Sequence, residues 1–217
     1  MSLYGTRDAA VNFQNEVKDF MTKQGFIQGK YNPCTYWHPK RRLKTLVHGD
    51  YFITTGHRSE AKWFKEKLLE RFGIKTKVIG MGPGEEREER VLNRILRVGE
   101  DGWEYEPDQR HAELIINALG LQKAKGVNTP CEEEKKHKEE EDAQVLVGVE
   151  AREFRGTAAR AYYLAMDRGD IQYAVKEVCR GMANPKRGDL RKLRRLGRYL
   201  VSHRRVVTRY PWQGNPG

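Results

Sequence analysis

The 217 residues, 38% hydrophobic and 33% charged, can bury a core but not a generous one, and the length fits one domain or a domain with a smaller appendage. A net charge of +11 and a pI near 9.6 favour polyanionic partners, nucleic acid first and an acidic membrane surface second. No stretch approaches the roughly 20 apolar residues that span a bilayer, "MSLYGTRDAA" has no apolar signal core, and the odd, widely spaced Cys34, Cys131 and Cys179 read as free thiols, so a cytosolic or nuclear protein without a disulfide framework is predicted.

From Asp8 to Gln24 the apolar residues Ala10, Phe13, Val17, Phe20 and Met21 recur at helical spacing, and Gly25 can close the helix. Three strand-like runs follow, Cys34–His38, Leu43–Val47 and Tyr51–Thr55, with "PKRR" and "HGD" as the turns between them. Ser59 is placed to cap a helix carrying Phe64, Leu68 and Phe72, with Gly73 just past its end. "IKTKVIG" reads as another strand, "MGPGEEREER" as a polar loop, and "RVLNRILRV" as one strand paired with "GWEYE". Pro107 then starts a helix with Leu114, Ile115, Ala118 and Leu119 inward, which Gly120 ends.

Composition changes sharply at "CEEEKKHKEEED", Cys131 to Asp142, a solvated linker or exposed helix and the natural place for a boundary. Beyond it the pattern is helical over roughly Ala151–Met166, Asp170–Met182 and Lys186–His203, Pro185 separating the last two. There is no internal repeat.

The most basic segment, Lys186 to Arg209, holds ten Lys or Arg against one acid, Asp189. On a helix, Arg191, Arg194, Arg195 and Arg198 fall at i, i+3, i+4 and i+7 and make one cationic stripe, while Leu190, Leu193, Leu196 and Leu200 supply an apolar side for packing. A stripe of one sign suits contact with a phosphate backbone; the plainer reading is a charged, solvated face. Cys34, His38, His48 and His57 lie within one strand cluster, but a Cys-x3-His spacing along a strand does not converge its side chains, and neither CxxC nor HExxH is present. "MGPGEE" lacks the strand-to-helix setting and the Lys-Ser/Thr of a phosphate loop. Phe13, Phe20, Trp63, Phe64 and Phe72 are core candidates. Asp50 stands at the tip of the "LVHGDYFITTG" hairpin, either as an ordinary turn residue or as an acid held toward a metal ion or substrate.

Four segments in order resemble the reverse transcriptase of copia-type retrotransposons: "LYGTRDAAVNFQNEVKDFMTKQGF", "NPCTYWHPKRRLKTLVHGDYFI", "PDQRHAELIINALGLQKAKGVNTP" and "FRGTAARAYYLAMDRGDIQYAVKEVCRGMANPKRGDLRKLRRLGRYL", together covering roughly Leu3 to Leu200. The family's hairpin tip carries two adjacent aspartates which, with a third acid from an upstream strand, hold two magnesium ions that activate the primer hydroxyl and stabilise the departing pyrophosphate. Here Asp50 matches the first aspartate, Tyr51 replaces the second, and the upstream acid would fall before Leu3. The resemblance thus implies an α+β fold: the later half of a polymerase palm (1–130), a charged linker (131–144), an all-helical thumb or connection region (145–210) and a tail (211–217). It implies Mg2+ as cofactor, with Asp50 as the remaining ligand and catalytic acid. The implied partners are a primer–template duplex on Arg191, Arg194, Arg195 and Arg198, and the rest of a retroelement polyprotein. With one acid of three, this chain is expected not to polymerise; a non-catalytic, basic nucleic-acid-binding module derived from such an element is the alternative.

Overall fold

The computed structural model of the protein describes residues 7–132 and 139–214, which form an α+β fold with two four-stranded antiparallel sheets. The chain divides between Thr76 and Lys77 into two compact units.

In the first unit, helix α1 (Arg7–Lys23) is followed by strands β1 (Ile27–Gln28), β2 (Thr35–His38), β3 (Leu43–His48) and β4 (Tyr51–Thr55), and by helix α2 (Arg58–Arg71). The sheet is a meander in strand order 1-2-3-4. Alternation along each strand separates its two faces. Tyr36, Leu43, Val47 and Phe52 turn inward, to a core with Val17, Phe20 and Met21 of α1 and Phe64 and Leu68 of α2. Thr45 and Thr54, paired across the strands, also turn inward and satisfy each other at 3.0 Å. Ile27, Trp37, Lys44, Leu46, Tyr51 and Ile53 lie on the opposite face, which neither helix covers. Ser59 lies inside α2 and does not cap it: His57 is the capping residue, without a side-chain cap bond, and Ser59 Oγ meets His57 Nδ1 at 3.0 Å instead.

The second unit holds strands β5 (Glu88–Val91), β6 (Arg94–Gly99) and β7 (Gly102–Glu106), then helices α3 (Arg110–Ala118), α4 (Glu139–Ala143), α5 (Gly148–Ala165), α6 (Gln172–Cys179) and α7 (Arg187–Ser202), and a last strand, β8 (Thr208–Pro211). Ile115 and Ile116 of α3, Phe154 of α5, Val178 of α6 and Leu193, Leu196 and Leu200 of α7 meet in one core. The structure departs from the expected elements at several points, and α3 begins at Arg110 rather than at Pro107. "IKTKVIG" forms no strand beyond a single bridge from Ile79 to Glu86. "RVLNRILRV" is two strands, because Leu92 and Asn93 adopt φ of +48° and +66° and fold the chain back in a two-residue hairpin. In α3 it is Ala112, Ile115, Ile116 and Leu119 that turn inward, while Leu114 and Ala118 are exposed. The region after 145 is not all-helical: Thr208–Pro211 returns to pair with β7 as an edge strand. Of the expected linker, 133–138 lie outside the described residues, as do Leu3 and residues 215–217 of the tail; Glu139–Ala143 is helical.

Gly102 is what lets β8 dock. Its φ is +140°, and a Cβ there would sit 2.1 Å from the Tyr210 carbonyl oxygen and 2.8 Å from Pro211 Cα. Gly102→Ala is expected to cost about 1–3 kcal/mol through backbone strain and this clash, and to release β8. Amide exchange should therefore quicken at Thr208–Tyr210 while β6 stays protected. Unchanged exchange at β8 would contradict this.

Candidate nucleic-acid interface

Asp50 is where the alternation and the Gly-Asp turn put it. His48 and Tyr51 form the last pair of the β3–β4 ladder, and Gly49–Asp50 is the two-residue turn between them. Gly49, at φ +60°, takes the first central position, which needs the left-handed conformation. The Asp50 side chain is exposed, as are His48 and Tyr51.

A two-magnesium centre needs several carboxylates converging within a few ångströms. Among the described residues no group of three or more His, Cys, Asp and Glu is placed to hold a metal ion. Glu16 of α1 is bound by Arg71, whose Nε donates to it at 3.0 Å. Asp50 is thus a single acid on an exposed turn, and these residues do not fit a two-metal site. Nor do the strand cysteine and histidines gather: Cys34 is exposed, while the buried His38 ring packs edge-on to Phe26 (5.0 Å) and Trp63 (5.7 Å).

The arginine stripe forms on α7 as the spacing predicts, and its apolar side buries Leu193, Leu196 and Leu200. Each arginine, however, has a partner within the fold. Arg191 is ion-paired with Asp142. Arg194 donates to the Leu119 carbonyl at 3.3 Å, satisfying an acceptor at the end of α3. Arg195 donates to the Thr129 carbonyl (3.1 Å) and hydroxyl (2.8 Å) and pairs with Glu132 (2.6 Å). Arg198 donates to the Lys125 carbonyl at 2.9 Å. The stripe therefore holds the segment from Leu119 to Glu132 against α7. The acceptors of Arg194 and Arg198 are neutral, so those two charges are not cancelled by their partners.

Three polar clusters in the second unit were not foreseen from spacing. Glu106, 1% exposed, accepts from Arg205 (2.7 and 2.9 Å), Arg97 (2.5 Å) and Gln109. Burial would raise its pKa, but Arg205, Arg97 and Gln109 outweigh burial and hold it down at about 2. Tyr105 donates to Asp167 at 2.5 Å, beside Arg94, and burial followed by the Asp167 contact pushes its pKa up to about 12. Arg168, buried, forks onto Asp170 (2.8 and 2.6 Å). Each cluster joins parts of the chain that are distant in sequence: Glu106 on β7 with Arg97 on β6 and Arg205, Tyr105 on β7 with Asp167, and Arg168 with the His203 carbonyl.

Among the described residues no helix is long and apolar enough to cross a membrane. Compared with family models, curated proteins and solved structures, the chain has no match.

Proposed function

We propose that the chain is a part of a copia-type reverse transcriptase that binds nucleic acid without carrying out nucleotidyl transfer. In this reading the first unit belongs to the palm, with the order helix, hairpin strands, helix and an acid at the hairpin tip, and the helices α5–α7 belong to the thumb or connection region. The observation that carries the non-catalytic part is Asp50 itself, an exposed carboxylate on the turn between His48 and Tyr51, in a chain where, among the described residues, no group of three or more His, Cys, Asp and Glu is placed to hold an ion. The +11 charge and the uncancelled charges of Arg194 and Arg198 support the nucleic-acid part.

Primer extension and duplex binding test the two parts. The purified chain is expected to extend no primer with magnesium or manganese, and extension lost in Asp50→Ala would overturn that. It is expected to bind a primer–template duplex with a log–log salt slope of about −3, the value for three or four phosphate contacts at about −0.9 each. Arg194→Ala/Arg198→Ala, which removes the two arginines whose acceptors are neutral, should flatten the slope by about two, and Arg194→Lys/Arg198→Lys, which keeps the charge, should restore it. Failure of the wild-type chain to bind duplex or single strand at low salt would overturn the nucleic-acid reading.

A further inference from the structure

The open face of the first unit's sheet carries two exposed aromatics in a basic setting. Trp37 on β2 is 36% exposed and Tyr51 on β4 is 58% exposed. Trp37 is flanked across the sheet by Ile27 on one side and Lys44 on the other, with Lys44 Nζ 5.9 Å from the indole centroid. Leu46 and Ile53, paired across β3 and β4, form an apolar floor between the two rings. A shallow groove of about 450 Å³ runs over Ile27, Trp37, Lys44, Leu46 and Ile53. Trp37 and Tyr51 are separated by two strand spacings and four residues along β3, about 16 Å.

We propose that this face is a stacking platform for single-stranded nucleic acid, with Trp37 and Tyr51 as its two base-stacking residues. The proposal rests on the nucleic-acid reading above and adds which strand state is held and where. Bases in a duplex present only their edges to a protein, whereas an unpaired strand offers flat faces to rings lying on a sheet. The separation of the rings suits a run of about four nucleotides, the lower end of known site sizes on β-folds. Charge complementarity selects the occupant: between Ile27 and Thr55 the five bases Lys30, Lys40, Arg41, Arg42 and Lys44 outnumber the single acid, Asp50, and of these five Arg41 is ion-paired, with Glu60 of α2. The same excess of positive charge disfavours a second copy of the chain against this face.

The test measures full-length wild type and Trp37→Ala/Tyr51→Ala by fluorescence anisotropy, with a labelled oligothymidylate and with a blunt duplex of equal length. Tyr173→Ala, which removes an exposed aromatic from α6, is the control. Each stacked base contributes about tenfold or more in affinity, so the double variant should lose on the order of 100-fold for the single strand and stay within about twofold for the duplex. Wild-type tryptophan fluorescence should be quenched by the single strand, and that quenching should shrink in Trp37→Ala. Tyr173→Ala should behave as wild type. If wild type binds duplex but not the single strand, the platform is wrong and the broader reading stands. If it binds neither, the broader reading fails as well. Single-strand affinity unchanged in the double variant overturns the proposal. So does a face-dependent partner of another kind: binding to phosphatidylserine vesicles, or a dimer by sedimentation, that the double variant loses while single-strand binding persists.

Discussion

Glu106→Ala is expected to destabilise the second unit by about 3 kcal/mol, the lower end of the range for stripping one partner from a buried ion pair. Glu106 is 1% exposed and is the shared acceptor of Arg97 on β6 and Arg205 beyond α7. Removing it takes the carboxylate partner from Arg205 and leaves Arg97 with Glu88 alone. The side chain of Arg205 is 55% exposed and can rehydrate, while that of Arg97, 24% exposed, cannot do so as freely. The urea midpoint measures the loss; a change below about 1 kcal/mol would mean that the guanidiniums find other partners. The pH dependence has a definite sign. The folded state holds the Glu106 pKa at about 2, below its ordinary 4.5, so its contribution to stability is present above about pH 4.5 and is lost as pH falls toward 2. Glu106→Gln, which cannot titrate, should lose less stability across that window than wild type.

Local signals in the sequence carried the first unit well, because its elements are specified by local chemistry. Helical periodicity placed α1, strict alternation placed β3 and β4, and a Gly-Asp pair placed the turn that exposes Asp50. What escaped was set by residues that disguise themselves or by contacts far along the chain. β1 is only two residues long, below any periodicity. The β5–β6 turn puts Leu92 in the left-handed region, where a leucine gives no warning of a turn. β8 is exposed along its whole length and ends on Pro211, which is tolerated because the strand is an edge. The arginine stripe was visible as spacing, but spacing does not say what faces it; the carbonyls of Leu119, Lys125 and Thr129 come from some 66 to 75 residues earlier. Trp37 and Lys44 on the open face were equally within reach, since "TYWH" and "LKTLVH" alternate, but period alone does not tell which of two faces a helix will cover.

Arg168→Ala is expected to cost about 2–4 kcal/mol, and Arg168→Lys to recover less than half of it. Arg168 is 2% exposed, sits at the turn before α6, and donates both to Asp170 and to the carbonyls of His203 (3.0 Å) and Arg204 (3.4 Å). Those carbonyls belong to the residue that caps the C-terminus of α7 and to the one after it. Asp170 is held a second time, by the Tyr199 hydroxyl at 3.0 Å, so the guanidinium joins the start of α6, the end of α7 and the chain leading to β8. A lysine brings one compact ammonium where a planar fork now reaches a carboxylate and two carbonyls, so it can restore the charge but not the geometry. With the anchor gone, the chain after α7 should loosen, and trypsin should cut after Arg204 and Arg205 several times faster than in wild type. Arg209→Ala is the contrast: its side chain is 81% exposed and pairs with Glu104 on the surface, where such a pair contributes at most about 1 kcal/mol. Equal stability losses in the Arg168 and Arg209 variants, or unchanged cleavage after Arg204, would show that the anchor lies elsewhere.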